Sequence, residues 1–322
     1  MGKITKPSKI ALKIQKWIVW LAIATLIITP FIVKEAFITH IFISALLYGT
    51  LGAAFDFAVG YLGIVNFGYA AFMGLGAYTS AIAAIRFGIN PWLGLLLGGV
   101  AAGLLGLLTG LMTLRLYGLF VACFTWFLGM ALMFLIAVTP EITRGYLGLT
   151  VPPFPDVWLL NFKDPLRLSY YSVIILLSLP TLFILYYLGN RSKMGLAFKA
   201  LRGSEPLAIA SGINPLKYRL INFTITCFIA GLFGSFYAHY IKILTPSLLA
   251  TGKTIEILSI AYIGGRGSLW GSIPAAFITI SFLEVLRPLE AYRFIIYGIL
   301  LILIMIFYPG GLARLITRKE LF

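Results

Sequence analysis

Long apolar runs, separated by short polar or glycine-rich breaks, organise nearly the whole chain. The runs are 17–33, 36–58, 68–86, 91–113, 117–138, 170–188, 219–240, 249–264, 270–286 and 292–308. A helix needs about 20 mostly apolar residues to cross a bilayer, and most of these runs approach that length. Period-2 alternation of the kind a membrane barrel needs is absent. Backbone in lipid must satisfy its own hydrogen bonds, so the runs are expected to be helices. The expectation is an all-α polytopic membrane protein with about ten transmembrane helices (8–10), some broken or re-entrant. The run at 249–264 is the weakest, because its uninterrupted apolar part, Ile255 to Ile263, is too short to cross alone.

Composition supports this reading. Of the 322 residues 61% are hydrophobic and only 11% charged, far from the roughly 25% charged residues of soluble domains. That excludes disorder, a coiled coil and a disulfide scaffold. Cys123 and Cys227 fall inside apolar runs and read as small packing residues. His40 and His239 have no acid or cysteine at ligand spacing, so no cofactor or metal is expected.

Charge then sets orientation. The net charge is +15, which in a soluble protein would suggest nucleic acid. Here the basic residues sort by segment. With the N-terminus inside, the inner segments hold 16 of the 25 Lys and Arg, among them Lys3, Lys6, Lys9, Lys13, Lys16, Arg191, Lys193, Lys199, Arg202, Lys217 and Arg219. Positive-inside bias favours N-in and C-in, with attraction to anionic inner-leaflet lipid and no nucleic-acid partner. The expected organisation is a cytoplasmic basic tail at 1–16, one transmembrane domain at 17–308, and a cytoplasmic tail at 309–322. The first run lacks a cleavage pattern and reads as a retained helix. A proline-dense outer loop spans 139–169, expected to be stiff and free of helix, and an inner loop spans 189–218.

The inner loop carries the clearest punctuation. A first short helix is expected over 194–202. A second follows in SEPLAIASG, residues 204–212. Ser204 can cap it, Glu205 suits the dipole, and Pro206 is tolerated in the first turn. Leu207, Ala208, Ile209 and Ala210 carry it, Gly212 can close it in the left-handed region, and Pro215 prevents resumption. A helix of about two turns is unstable alone in water. It packs either on its own membrane domain or into a soluble partner.

Two resemblances to nucleotide loops fail. SLLATGKT, residues 247–254, has Ser where a P-loop has its first Gly and lacks a preceding buried strand. GGRGSLWG, residues 264–271, has the wrong glycine spacing and no βαβ context. Any ATP-driven work therefore needs another subunit.

Glycines at 94, 98, 99, 103, 106 and 110 give one run a smooth ridge suited to close helix packing. Glycine also interrupts 60–76 and 261–274, which marks either a substrate path near the midplane or tight turns. Asp56 and Glu256 lie within spans, where an acid should face protein or water. So few buried ionisable groups argue against ion coupling.

GYLGIVNFGYAAFMGLGAYT, residues 60–79, resembles the glycine-aromatic signature of the membrane permeases of branched-chain amino acid ABC importers. YLGLTVPP, residues 146–153, is similar to that family's outer loop, with Leu147 where Asn is usual. Residues 195–218, Tyr237-Ala-His239, Ile255–Leu258 and 264–271 resemble its second half. The resemblance covers roughly 40–308, and the order of motifs is that of the LivM-type member of the permease pair. It implies an inner-membrane importer subunit, not an enzyme, for branched-chain amino acids. It also implies a second homologous permease, two cytoplasmic ATP-binding subunits and an extracytoplasmic substrate-binding protein. Related importers take urea, amides or other amino acids. Under this resemblance Ser204, Glu205, Pro206, Leu207, Ala208, Ala210 and Gly212 form the helix that docks on an ATPase. The expected translocation path is lined partly by Asp56, Asn66, Tyr69, Tyr78, Thr79, Glu256 and Ser259. The rivals are a single-component carrier or channel for small polar solutes, and a membrane enzyme, for which the usual Asp or His cluster is missing.

Overall fold

A computed structural model describes residues 35–113, 116, 118–157, 161–289, 292–308 and 310–312. The expected first span at 17–33, the basic tail at 1–16 and nearly all of 309–322 lie outside the described residues.

The described chain is all-helical apart from one two-residue strand pair. Its helices are α1 (Ala36–Leu62), α2 (Tyr69–Phe87), α3 (Pro91–Thr113), α4 (Leu119–Ala137), α5 (Pro140–Thr143), α6 (Leu168–Asn190), α7 (Lys193–Gly203), α8 (Glu205–Ala210), α9 (Pro215–Ile241), α10 (Thr251–Gly264), α11 (Ser272–Val285) and α12 (Tyr292–Phe307). Six of these, α1, α2, α3, α4, α6 and α9, are long and apolar enough to cross a membrane. The runs at 249–264 and 270–286, expected as two spans, are two 14-residue helices. At 1.5 Å per residue each reaches only about 21 Å, short of a bilayer core of about 30 Å. Together they form a broken or re-entrant element bent by 116°. The break sits at Gly265 and Gly267, which take φ of 100° and 81°, values that glycine alone adopts without strain.

Every residue of α1 from Ala45 to Leu62 is buried, and α6, α9, α10 and α11 pack around it. Against this centre stands a tight trio of α2, α3 and α9. The glycine ridge of α3 explains its closeness. A Cβ on Gly98 would strike Ser235 and the Gly76 carbonyl, and one on Gly231 would strike Ala102 and the Gly98 carbonyl. Gly106 lies against Cys227, which is fully buried and free, as its reading as a packing residue anticipates.

Connections sort to two ends. At one, Gly60 packs on Gly267, the Arg202 guanidinium donates to the Gly60 carbonyl, and Gly63, Leu116, Gly118 and Arg219 line one cleft of ≈ 90 Å³. At the other, β1 (Leu149–Thr150) pairs antiparallel with β2 (Ile243–Leu244), and Arg86 donates to the Glu141 carbonyl. His239 bridges Ser80 Oγ at 2.8 Å and the Pro152 carbonyl at 2.7 Å. Within the outer loop, Pro140 opens the single turn of α5, since proline suits a first helical position. That loop was expected to be free of helix.

Pro215 corrects another expectation. It does not merely stop the preceding helix. It is the first residue of α9, and the Asn214 side chain accepts from the backbone N–H groups of Leu216 and Lys217 at 3.0 and 3.3 Å. Proline has no N–H to orphan at that position, so it starts a helix as well as it ends one.

Candidate translocation path and coupling helix

The linker between α6 and α9 folds as two short helices. Ser192 caps α7 by accepting from Gly195 N at 3.3 Å. Ser204 stands at the cap position of α8, but its side chain makes no capping bond; its carbonyl accepts from Ala208 N at 3.0 Å. Pro206 occupies the first turn. Glu205 makes an ion pair with Arg219 of α9 at 2.7 Å. Gly212 takes φ 81°, donates to the Ile209 carbonyl, and is followed by Ile213 N donating to Ala208 O. These bonds close α8 as a glycine C-terminal motif does. Ala208 is buried, Ala210 is exposed, and Leu207 and Ile209 are 72% and 51% exposed. The helix thus packs its small residue inward and holds two large apolar side chains outward.

Asp56 is fully buried in α1 and both its oxygens lie 2.9 Å from Gly267 N. It therefore ties α1 to the α10–α11 turn, and Gly60 beside it lets the turn approach. The two glycine-interrupted stretches, far apart in sequence, meet here.

The first of them makes a further junction deeper in the bundle. After Leu62, the N–H groups of Gly63 and Ile64 bond back to Val59 and Ala58, and Gly63 adopts φ 78°, which ends α1 cleanly. The chain then returns inward, and α2 begins in the interior. The Tyr69 hydroxyl donates to the Thr226 carbonyl, near the middle of α9. A helix start in lipid would orphan its N–H groups. Here Asn66 Oδ1 accepts from Gly68 N, Thr125 Oγ1 from Phe67 N, and Thr254 Oγ1 from Ala70 N, all at 3.0–3.1 Å. Asn66 also points Nδ2 at Cys227 Sγ, 3.9 Å away.

Thr254 belongs to the first turn of α10, so α10 also begins at this depth; Thr251 beside it accepts from Trp126 Nε1 at 2.8 Å. The run that imitates a P-loop is in fact this start of a half-helix. Lys253 and Glu256 pair at 2.8 Å, and Ser259 donates to the Glu256 carbonyl and bonds the Tyr297 hydroxyl of α12. Lys253 thus sits beside Tyr48, near the midpoint of α1.

The remaining two candidates are elsewhere. Tyr78 and Thr79 lie further along α2, away from Asp56. Tyr78 is buried with no hydrogen-bond partner for its hydroxyl, and Thr79 bonds the Leu75 carbonyl of its own helix. Sequence reasoning missed Thr125, Thr254, Lys253 and Arg219. The cue it passed over was the polar Thr-Gly-Lys-Thr start of an otherwise apolar run.

Six helices long and apolar enough to cross a membrane, together with interior helix starts and a glycine-broken element, define a multi-pass membrane protein. The sequence pattern of the family described as branched-chain amino acid transport system / permease component matches residues 37–305. The chain belongs to that family. It is 30% identical over 313 residues to the high-affinity branched-chain amino acid transport system permease protein LivM of Escherichia coli (strain K12), covering 91% of this chain and 73% of that one. It is 29% identical, with the same coverage, to the protein of that name from Salmonella typhimurium (strain LT2). It is 26% identical over 282 residues to a probable branched-chain amino acid transport permease protein LivH of Methanocaldococcus jannaschii, covering 80% and 85% of the two chains. No solved structure shows a significant match to it.

Proposed function

We propose that this chain is the translocation subunit of an ATP-driven importer of branched-chain amino acids, working by alternating access in an N-in, C-in arrangement. The substrate class is that in the names of its relatives. Its partners are a second homologous permease, two cytoplasmic ATP-binding subunits and an extracytoplasmic binding protein.

One observation carries the mechanism: α8 presents Leu207 and Ile209 outward while Glu205 grips Arg219 at the foot of α9. Burying two such side chains in a cytoplasmic partner stabilises docking by roughly 1.5–3 kcal/mol each. A push on α8 passes through the ion pair to α9. The glycine contacts make α9 move with α2 and α3. The opposing body is α1 with α10 and α11, tied at Asp56. The seam between the bodies runs past the interior starts of α2 and α10, where the Ala70–Thr254 bond crosses it; the Asn222 amide donating to the Phe57 carbonyl and the His40–Tyr240 bond join α9 to α1 elsewhere along it. Rocking along this seam opens it alternately to each side, past Asn66, Tyr69, Glu256 and Ser259; Tyr78 and Thr79 belong to its outer part.

The complex co-purified with its ATP-binding subunits and placed in proteoliposomes should accumulate leucine only with ATP and binding protein present. Equal flux from this chain alone without ATP would replace the proposal with a single-component carrier.

A further inference from the structure

Lys253 and Glu256 form an ion pair near the middle of the bundle. The Lys253 ammonium lies 5.7 Å from the ring centroid of Tyr48, which is close to the midpoint of α1. A charge at bilayer centre costs on the order of 2.5–3.5 kcal/mol on insertion scales, so it persists where it meets protein or water. Here the protein closes over it incompletely. The Lys253 and Glu256 side chains are 35% and 14% exposed, and Gly252 and Ile255 beside them on the same turns are exposed.

The pair also differs from Asp56 in what it holds. Both Asp56 oxygens are spent on the Gly267 turn. Among the described residues, the hydrogen bonds of Lys253 Nζ and of the Glu256 carboxylate are to each other; the Tyr48 ring lies under the ammonium, and Tyr237 of α9 is within electrostatic reach of both charges. Neither charge makes a hydrogen bond or ion pair to another helix; Lys253 reaches α1 only through the Tyr48 ring. Each satisfies the other and is free to exchange that partner for an equivalent one. A free amino acid offers the equivalent: a carboxylate and an ammonium on the same carbon. Exchange removes one ion pair and makes two, so no charge is left uncompensated in the partly buried site.

We propose that Lys253 and Glu256 are the station for the charged end of a zwitterionic amino acid, the α-carboxylate on Lys253 and the α-ammonium on Glu256. The Tyr48 ring and the Tyr297–Ser259 hydroxyl pair border it. This rests on the proposed transport function and deepens it: without substrate the pair is closed on itself, and cargo opens it.

The test uses the full complex in proteoliposomes, with Cys123→Ser and Ile255→Cys introduced and the rate of maleimide labelling at position 255 measured. Leucine at ten times its apparent Kd should slow labelling about tenfold by occupancy. 4-Methylpentanoate, which lacks the ammonium, and 3-methylbutylamine, which lacks the carboxylate, should not slow it at that concentration. Lys253→Met and Glu256→Gln should each abolish protection, and Lys253→Arg should keep it. Protection by all three compounds, protection that survives Lys253→Met and Glu256→Gln, or a position 255 that leucine leaves unprotected or that maleimide never reaches would overturn the site. If the wild-type complex nevertheless takes up leucine with ATP, the transport proposal stands without this station. If ATP-dependent uptake is itself missing, the transport proposal is what fails.

Discussion

Asp56 illustrates how little freedom an acid has inside this bundle. Its carboxylate is buried and faces the backbone of a glycine turn at 2.9 Å. A hydrogen bond to a charged acceptor contributes about 1.5–3 kcal/mol. Asp56→Ala should therefore lower the thermal unfolding midpoint in detergent and free the α10–α11 turn, while Asp56→Asn should lose less. A melting curve identical to wild type for Asp56→Ala would show that the turn is held by packing alone. The sequence makes Asp56 visible as an acid in a span. It does not reveal that its partner is a backbone amide 211 positions away, because a backbone donor has no signature in the side-chain pattern.

Among the elements, the trio of α2, α3 and α9 is the stiffest. Gly76, Gly98 and Gly231 bring backbones into contact where any Cβ collides with a carbonyl. Forcing extra volume into such a core costs roughly 1–3 kcal/mol. Gly98→Ala should thus reduce the yield of folded protein and lower its melting temperature. Gly203→Ala, at the end of α7 with open space around it, should be neutral or slightly stabilising, since alanine is the better helix former. Equal melting of both variants would contradict the tight junction. The glycine ridge was legible as a packing surface, and the helix boundaries of α1, α3 and α6 were legible within a few residues. The depth at which α2 and α10 begin was not. Hydropathy marks a break between the runs ending at 58 and beginning at 68 but not how deep the chain turns back, and the Thr125 and Thr254 acceptors that make the interior start possible lie in other helices. Pro215 was misread because proline serves both after a helix and at its first position, and only the Asn214 cap distinguishes the two.

For the whole molecule, the connections sort to two ends, and the proposed orientation puts the basic inner loop at 189–218 on one side of the membrane and the outer loop at 139–169 on the other. Ser211 and Asn161 lie at opposite ends and are both exposed. In spheroplasts, Asn161→Cys should react with an impermeant maleimide and Ser211→Cys should not; in inside-out vesicles the pattern should reverse. Labelling of both from one side would break the proposed orientation. The central claim is that work done by ATP outside this chain enters it through α8. Its most direct measurement is leucine-stimulated ATP hydrolysis by the assembled complex carrying Glu205→Lys, which sets like charge against Arg219, or Gly212→Pro, which cannot adopt φ 81°. The account predicts that stimulation falls to the basal rate and uptake is lost while the complex stays assembled on a sizing column. Stimulation and uptake unchanged from wild type in both variants would contradict it.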